Sequence, residues 1–216
     1  MKKIWVFAFA ATAFVTNARA QGSTTFGLRA GVNFQNLTGE VGGNDLDYKL
    51  KTGFHIGVNA EVPIAPEFYL QPGVLFSTKG AKSDEGNVDS KVNISYVEIP
   101  INFLFKPTLG SGKMLLGFGP YVGIAVGGKI KNDDDDEDIK FKNDISASEF
   151  ATNDPYMKRL DFGGNLLAGY EFSSKFSVQL NAQLGMANLF PKVSGEKLDN
   201  TKMKNTGFGV SVGYRF

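Results

Sequence analysis

Cysteine is absent from this chain of 216 residues. That excludes a disulfide framework and a lipid-modified N-terminal cysteine, so the mature protein has to hold itself together by sheet closure or core burial. Long apolar runs are also missing. Past Gln21 no uncharged stretch approaches the roughly 20 residues a membrane-spanning helix needs, so any insertion into a bilayer has to be by closed strands. Histidine occurs once, at His55, and no G-x-S-x-G nucleophile motif lies beside it or beside Asp161. Neither sign of charge dominates: 23 Lys plus Arg stand against 22 Asp plus Glu. Nothing in that balance points to nucleic acid.

Glycine and phenylalanine are abundant, with 26 Gly and 19 Phe, an unusual pairing for a globular enzyme of this size. They fall into a pattern with a period of two. At the end of the chain Phe208, Val210, Val212, Tyr214 and Phe216 point one way, and Gly207, Gly209, Ser211, Gly213 and Arg215 the other. Side chains alternate across a pleated strand, so one face is apolar and the other small or polar, as in a wall between lipid and a polar lumen.

The start of the chain reads as an export signal. Lys2 and Lys3 form a basic region, residues 4–15 an apolar run of twelve that is too short for an anchor, and Ala18-Arg19-Ala20 a small-residue cleavage site. The predicted organisation is a signal peptide over 1–20 and one β-barrel domain over 21–216. Removing Lys2, Lys3 and Arg19 leaves 20 basic against 22 acidic side chains, a mature charge of about −2.

The alternation recurs. Further strands are predicted around Phe26 to Phe34, Phe54 to Val62, Phe68 to Phe76, Val92 to Phe105, Leu115 to Val126, Leu160 to Phe172 and Phe176 to Leu184. With the last strand that makes eight, an even number as in single-chain bacterial barrels. Pro72 implies a local irregularity, since proline cannot donate to the ladder. In the fourth segment Val92, Ile94 and Tyr96 share one parity and Val97, Ile99, Ile101, Phe103 and Phe105 the other, for which a β-bulge near 96–100 would account. The expected fold is all-β, an eight-stranded antiparallel up-and-down transmembrane β-barrel.

Connections sort by length. Residues 63–67, 106–112 and 173–175 are short, whereas 36–51, 78–90, 127–158 and 188–206 are longer, and the two kinds alternate. Short periplasmic turns and long outer loops are the barrel pattern, which puts both ends of the barrel chain on the periplasmic side. On that topology Phe26, Phe68, Phe105, Phe172, Phe176 and Phe216 form one aromatic girdle, and Phe34, Phe54, Phe76, Tyr96, Phe162 and Phe208 the other. A spacing of eight residues along a strand tilted by about 40° rises on the order of 20 Å, close to the ~25 Å apolar band of such barrels.

Inward charges Arg29, Glu61, Glu171 and Arg215, with Glu98 higher up, are expected to pair and plug a lumen only wide enough for side chains. His55 is placed inward at the outer rim as a surface hydrogen-bonding group. Residues 133–138 are expected to form a solvated, mobile acidic loop, because the EF-hand spacing is missing. Gly117, Gly119 and Gly123 sit inside a strand and are read as making room in the lumen.

Three segments carry a resemblance: Tyr96-Val97-Glu98-Ile99-Pro100-Ile101, Gly117-Phe118-Gly119-Pro120-Tyr121-Val122-Gly123, and Asp161-Phe162-Gly163-Gly164 with Ala168-Gly169-Tyr170-Glu171-Phe172. With them the chain resembles the PorT-like outer-membrane β-barrel family of Bacteroidota. The resemblance implies an outer-membrane location and, for some relatives, service to a protein secretion system; it carries over no catalytic residue. The expectation is a non-catalytic barrel, monomeric in the membrane, with no cofactor and no metal. Its expected partners are outer-membrane lipid and lipopolysaccharide, and proteins of a secretion or envelope complex. A lipid-modifying barrel enzyme and a lipocalin-like periplasmic carrier are the alternatives.

Overall fold

Eight long antiparallel strands, each paired with its sequence neighbours, close on themselves. They are β1 (Thr25–Val41), β2 (Lys49–Ala65), β3 (Phe68–Ser83), β4 (Ser90–Phe105), β5 (Gly112–Lys131), β6 (Leu160–Glu171), β7 (Phe176–Gly185) and β8 (Lys202–Arg215). The circuit is completed where β8 pairs with β1, from Gly27 against Arg215 to Glu40 against Lys202. The structure is a computed structural model that describes residues 23–83, 90–132, 136–152 and 154–216. The proposed export segment, Asp133, Asp134 and Asp135 lie outside the described residues.

The two faces of the wall carry the chemistry that the alternation requires. Outward residues such as Val58, Phe118, Leu166, Leu180 and Val212 are more than half exposed, whereas the inward Gln71, Asn102, Asn165 and Ser211 are buried. A soluble carrier would be built the other way round. Aromatic side chains meet across neighbouring strands at both rims: Phe34 with Phe208 and Phe54 with Phe76 at the outer rim, Phe68 with Phe105 and Phe176 with Tyr214 at the periplasmic rim.

Crossing a bilayer takes about 9–11 tilted residues, yet β1 has 17, β4 has 16 and β5 has 20. The surplus lies at the outer end, where ladder pairing continues into segments expected to be loops, and there the inside of the barrel turns apolar. Leu37, Ala81, Ile94, Tyr96 and Ala125 pack with Ile139, Met157, Ala187 and Leu189 of the outer loops into one buried cluster.

That cluster corrects the reading of β4. Ile94, Tyr96, Glu98, Asn102 and Leu104 are all inward and buried, so β4 keeps a single parity and has no bulge at 96–100. The phase of its apolar residues changes because the membrane lies outside the lower half and the outer core lies inside the upper half. A register shift does occur, but on the partner strand: Ser95 faces Gly127 and Tyr96 faces Ala125, leaving Val126 as the extra residue of β5. Tyr96 is fully buried in the lumen and is not part of the outer girdle.

Candidate functional site

The lumen holds two ionic clusters, one above the other. At the periplasmic end Lys106 Nζ lies 2.7 Å from Glu61 Oε2 and 2.9 Å from Glu171 Oε2, while Arg215 Nη2 reaches Glu61 Oε1 at 2.5 Å and its Nη1 donates to Asn59. Two bases thus face two acids, as buried charge demands. The members differ from those expected: Lys106, assigned to a turn, takes the place of Arg29. Arg29 stands one step further in, opposite Gly57 and Gly213, and donates to Asn181 Oδ1 at 3.3 Å.

The upper cluster is Lys79 between Glu98 at 3.0 Å and Asp161 at 3.2 Å, all with side chains wholly buried. Tyr121 and Asn205 donate to Asp161, Gln183 donates to Glu98, and the Tyr121 ring lies 4.4 Å from the ammonium. The sequence places Lys79 in a segment, 78–90, expected to be loop, where a lysine normally points to water. Its parity with Leu75 and Ser77, both inward, is the signal that identifies it.

Amides extend the lower cluster upward. Gln71 donates to Glu61, Asn102 to Gln71 and Asn165 to Asn102, at 3.2, 3.2 and 2.8 Å. Beside this ladder His55 is buried rather than at the surface, correcting its placement as a rim group. Its Nδ1 lies 2.5 Å from Asn33 Oδ1, and Asn33 Nδ2 donates to Ser77 Oγ at 3.0 Å. An amide therefore stands between the histidine and the hydroxyl, and His55 and Asp161 belong to separate hydrogen-bond groups. A cavity of about 20 Å³ lined by Arg29, His55, Glu98 and Gln183 lies between these groups, with a second of about 10 Å³ below it. Each has the size of about one water molecule.

Above the wall, the outer loops form an ordered cap. Lys140–Phe141 pairs in parallel with Tyr156–Met157, and Asp144–Ile145 with Lys192–Val193. A one-turn helix, α1 (Ala147–Phe150), starts at a capping box in which Ser146 and Glu149 satisfy each other's backbone. Of the acidic segment expected to be a mobile loop, Asp133 to Asp135 lie outside the described residues, and Asp136–Asp138 is instead a strand paired with the end of β5, Asp138 opposite Lys129 and Asp136 opposite Lys131. Among the described residues no group of three or more His, Cys, Asp or Glu has the arrangement of a metal site.

Residues 18–191 match the family described as "Outer membrane protein beta-barrel domain". The chain belongs to that family. This outer-membrane β-barrel also resembles solved structures of Ail, the attachment invasion locus protein of Yersinia pestis. Against Ail in complex with the heparin analogue sucrose octasulfate the identity is 15%, the TM-score 0.43, and the coverage 90% of this chain and 100% of that one. Against a second Ail structure the values are 16%, 0.37, 91% and 99%. No curated protein matches the sequence. At this level of identity and superposition, Ail's binding chemistry remains Ail's own.

Proposed function

We propose that this outer-membrane barrel is a non-catalytic component of the envelope that works by presenting its outer cap and periplasmic rim to partner proteins. The observation that carries this reading is the contrast between a filled lumen and an ordered cap. Below the outer core the bore is lined by hydrogen-bonded charges and amides, and the two cavities described among them hold about one water each, too little for a substrate. Above, β1 to β5 and β8 run on past the outer girdle to support a folded surface with its own apolar core.

The reading includes export by the signal segment 1–20, with 21–216 as the mature barrel. It also includes membership of the PorT-like group of Bacteroidota, with a link to protein secretion, on the strength of the Tyr96 to Ile101 and Gly117 to Gly123 segments. Cross-linking in intact cells, followed by mass spectrometry of what is captured on the cap, tests it. Recovery of secretion or envelope proteins, together with a secretion defect on deletion of the gene, is the expected result. A deletion strain with normal secretion and altered lipopolysaccharide acylation would replace this reading with the lipid-modifying enzyme.

A further inference from the structure

Where β8 closes against β1, the outer end of the wall holds a trough of about 360 Å³ lined by Thr38, Gly39, Glu40, Asp45, Lys202 and Lys204. Its floor is the end of β1; β8 forms one side and the two-residue strand Asn44–Asp45 the other. In cross-strand register Glu40 stands between Asp45 and Lys202, and Thr38 stands beside Lys204. The floor stays low at Gly39, whose φ is +137° and where a Cβ would collide with the Lys202 carbonyl. Residues 36–48 and 199–208, which enclose the trough, are all described.

The two sides carry opposite charge, and the protein answers only part of it. Glu40 and Asp45 are like charges in direct register, an arrangement that destabilises a sheet. Lys202 lies 3.7 Å from Glu40, a long and solvent-accessible contact. Asp45 and Lys204 have no ion-pair partner among the described residues. The trough therefore offers a free carboxylate on one side and a free ammonium on the other, with room between them.

Its face is the outward one. Thr38 and Glu40 share the parity of Phe34, opposite to the buried Gln35 and Leu37, and Lys202 and Lys204 share that of Phe208, opposite to the buried Asn205 and Ser211. On the same two strands, directly beneath, the rings of Phe34 and Phe208 meet at 5.3 Å in the outer girdle. Thr38 and Lys204 are four residues beyond those rings, roughly 10 Å further from the membrane centre at ~3.3 Å per residue and ~40° of tilt. That is the level of the headgroup layer, which adds about 5–8 Å to each side of the hydrocarbon.

We infer that the trough binds the phosphoethanolamine headgroup of a membrane lipid, with the phosphate on Lys204 and Lys202, the primary amine on Asp45 and Glu40, and the acyl chains running down over Phe34 and Phe208. The inference rests on the outer-membrane placement of the barrel and adds a lipid to its protein partners. A headgroup with phosphate alone leaves the two carboxylates facing each other, and the quaternary ammonium of choline has no N–H to donate to them, whereas a primary ammonium has three. A lipid is held at the required height by its own chains, which a free zwitterion is not.

The test is native mass spectrometry of the full-length barrel released from nanodiscs of equal parts phosphatidylcholine and phosphatidylethanolamine with matched acyl chains. The expected result is a roughly threefold or greater enrichment of phosphatidylethanolamine among single-lipid adducts. D45N/K204Q, which leaves the contact of Glu40 with Lys202 in place, is expected to retain the two lipids equally. K129Q/D138N, which removes an exposed pair outside the trough, is expected to keep the enrichment; its loss there would assign the effect to surface charge in general and overturn the proposal. The same holds if the parent retains both lipids equally, if D45N/K204Q enriches as fully as the parent, if phosphatidylglycerol in place of phosphatidylethanolamine is retained as strongly, or if soluble O-phosphoethanolamine added to phosphatidylcholine nanodiscs binds as well.

Discussion

Lys79 Nζ lies 3.2 Å from Asp161 Oδ2, an ion pair whose two side chains are completely buried inside a membrane-spanning wall. The lysine is shared with Glu98 at 3.0 Å, so its removal strands two carboxylates rather than one. Breaking a buried pair from one side costs about 3–5 kcal/mol. Lys79→Met is therefore expected to lower the urea midpoint of the barrel in detergent sharply, and adding Glu98→Gln and Asp161→Asn to recover much of the loss. A single variant as stable as the parent would show that the triad carries no structural weight.

A bore filled in this way should not conduct. Planar bilayers containing the purified protein are expected to show no wide, steady pore at neutral pH. Replacing Lys106, which holds Glu61 and Glu171 together, is expected to give brief openings first at the periplasmic end. A large constant conductance in the parent protein would contradict the packed lumen.

The lipid-facing surface makes a separate claim. Leu180 is 59% exposed and lies midway along β7. An arginine at the centre of such a face costs about 2–4 kcal/mol in outer-membrane barrels, so Leu180→Arg should be destabilised by that order in lipid-based equilibrium unfolding. Site-directed labelling from the hydrocarbon phase should modify cysteine at Leu180 or Val210 and spare cysteine at Ser211, which is 1% exposed.

The cap has its own acid dependence. The side-chain hydrogen bond from Lys142 holds the Glu149 carboxyl below its ordinary value of 4.5, with the Ser146 backbone N–H acting in the same direction. The bond from Lys140, at 2.6 Å, lowers Asp154 in the same way. A depressed carboxyl stabilises the folded cap above its unfolded pKa, and that contribution is lost as pH falls through the folded one. Amide exchange over 146–152, corrected for the intrinsic rate, should therefore speed up below about pH 4 while the barrel strands stay protected. Glu149→Gln should remove most of the pH dependence at α1; protection unchanged between pH 7 and pH 3 in the parent would refute the assignment.

The membrane-embedded half of this molecule was legible because lipid imposes a rule on every second residue. Phe26 to Phe34 and Phe208 to Phe216 announce strands, and the alternation of short and long connections gives their direction. Beyond the outer girdle the rule lapses. Outward positions there meet water and inward positions meet the loops, so β1 continues through Leu37 and β3 through Ala81 with nothing in their periodicity to show it. The same limit hid the two lysines of the ionic clusters. Lys79 and Lys106 stand just past the recognisable ends of strands, where an amine ordinarily faces solvent, and only the acids awaiting them inside explain their direction. Glu61 and Arg215 were legible as partners because both lie within the alternating stretches.

The pairing of β8 with β1 governs how the molecule can be made. Until its eighth ribbon arrives, any assembling form has two raw margins of unpaired amides, which hydrocarbon does not tolerate. Contacts between Glu61 and Arg215 and between the Phe216 amide and the Phe26 carbonyl then work as a latch, engaging only when the seam zips shut. Insertion is consequently all or nothing, and a polypeptide cut short before that ribbon would have to be shielded or destroyed in transit.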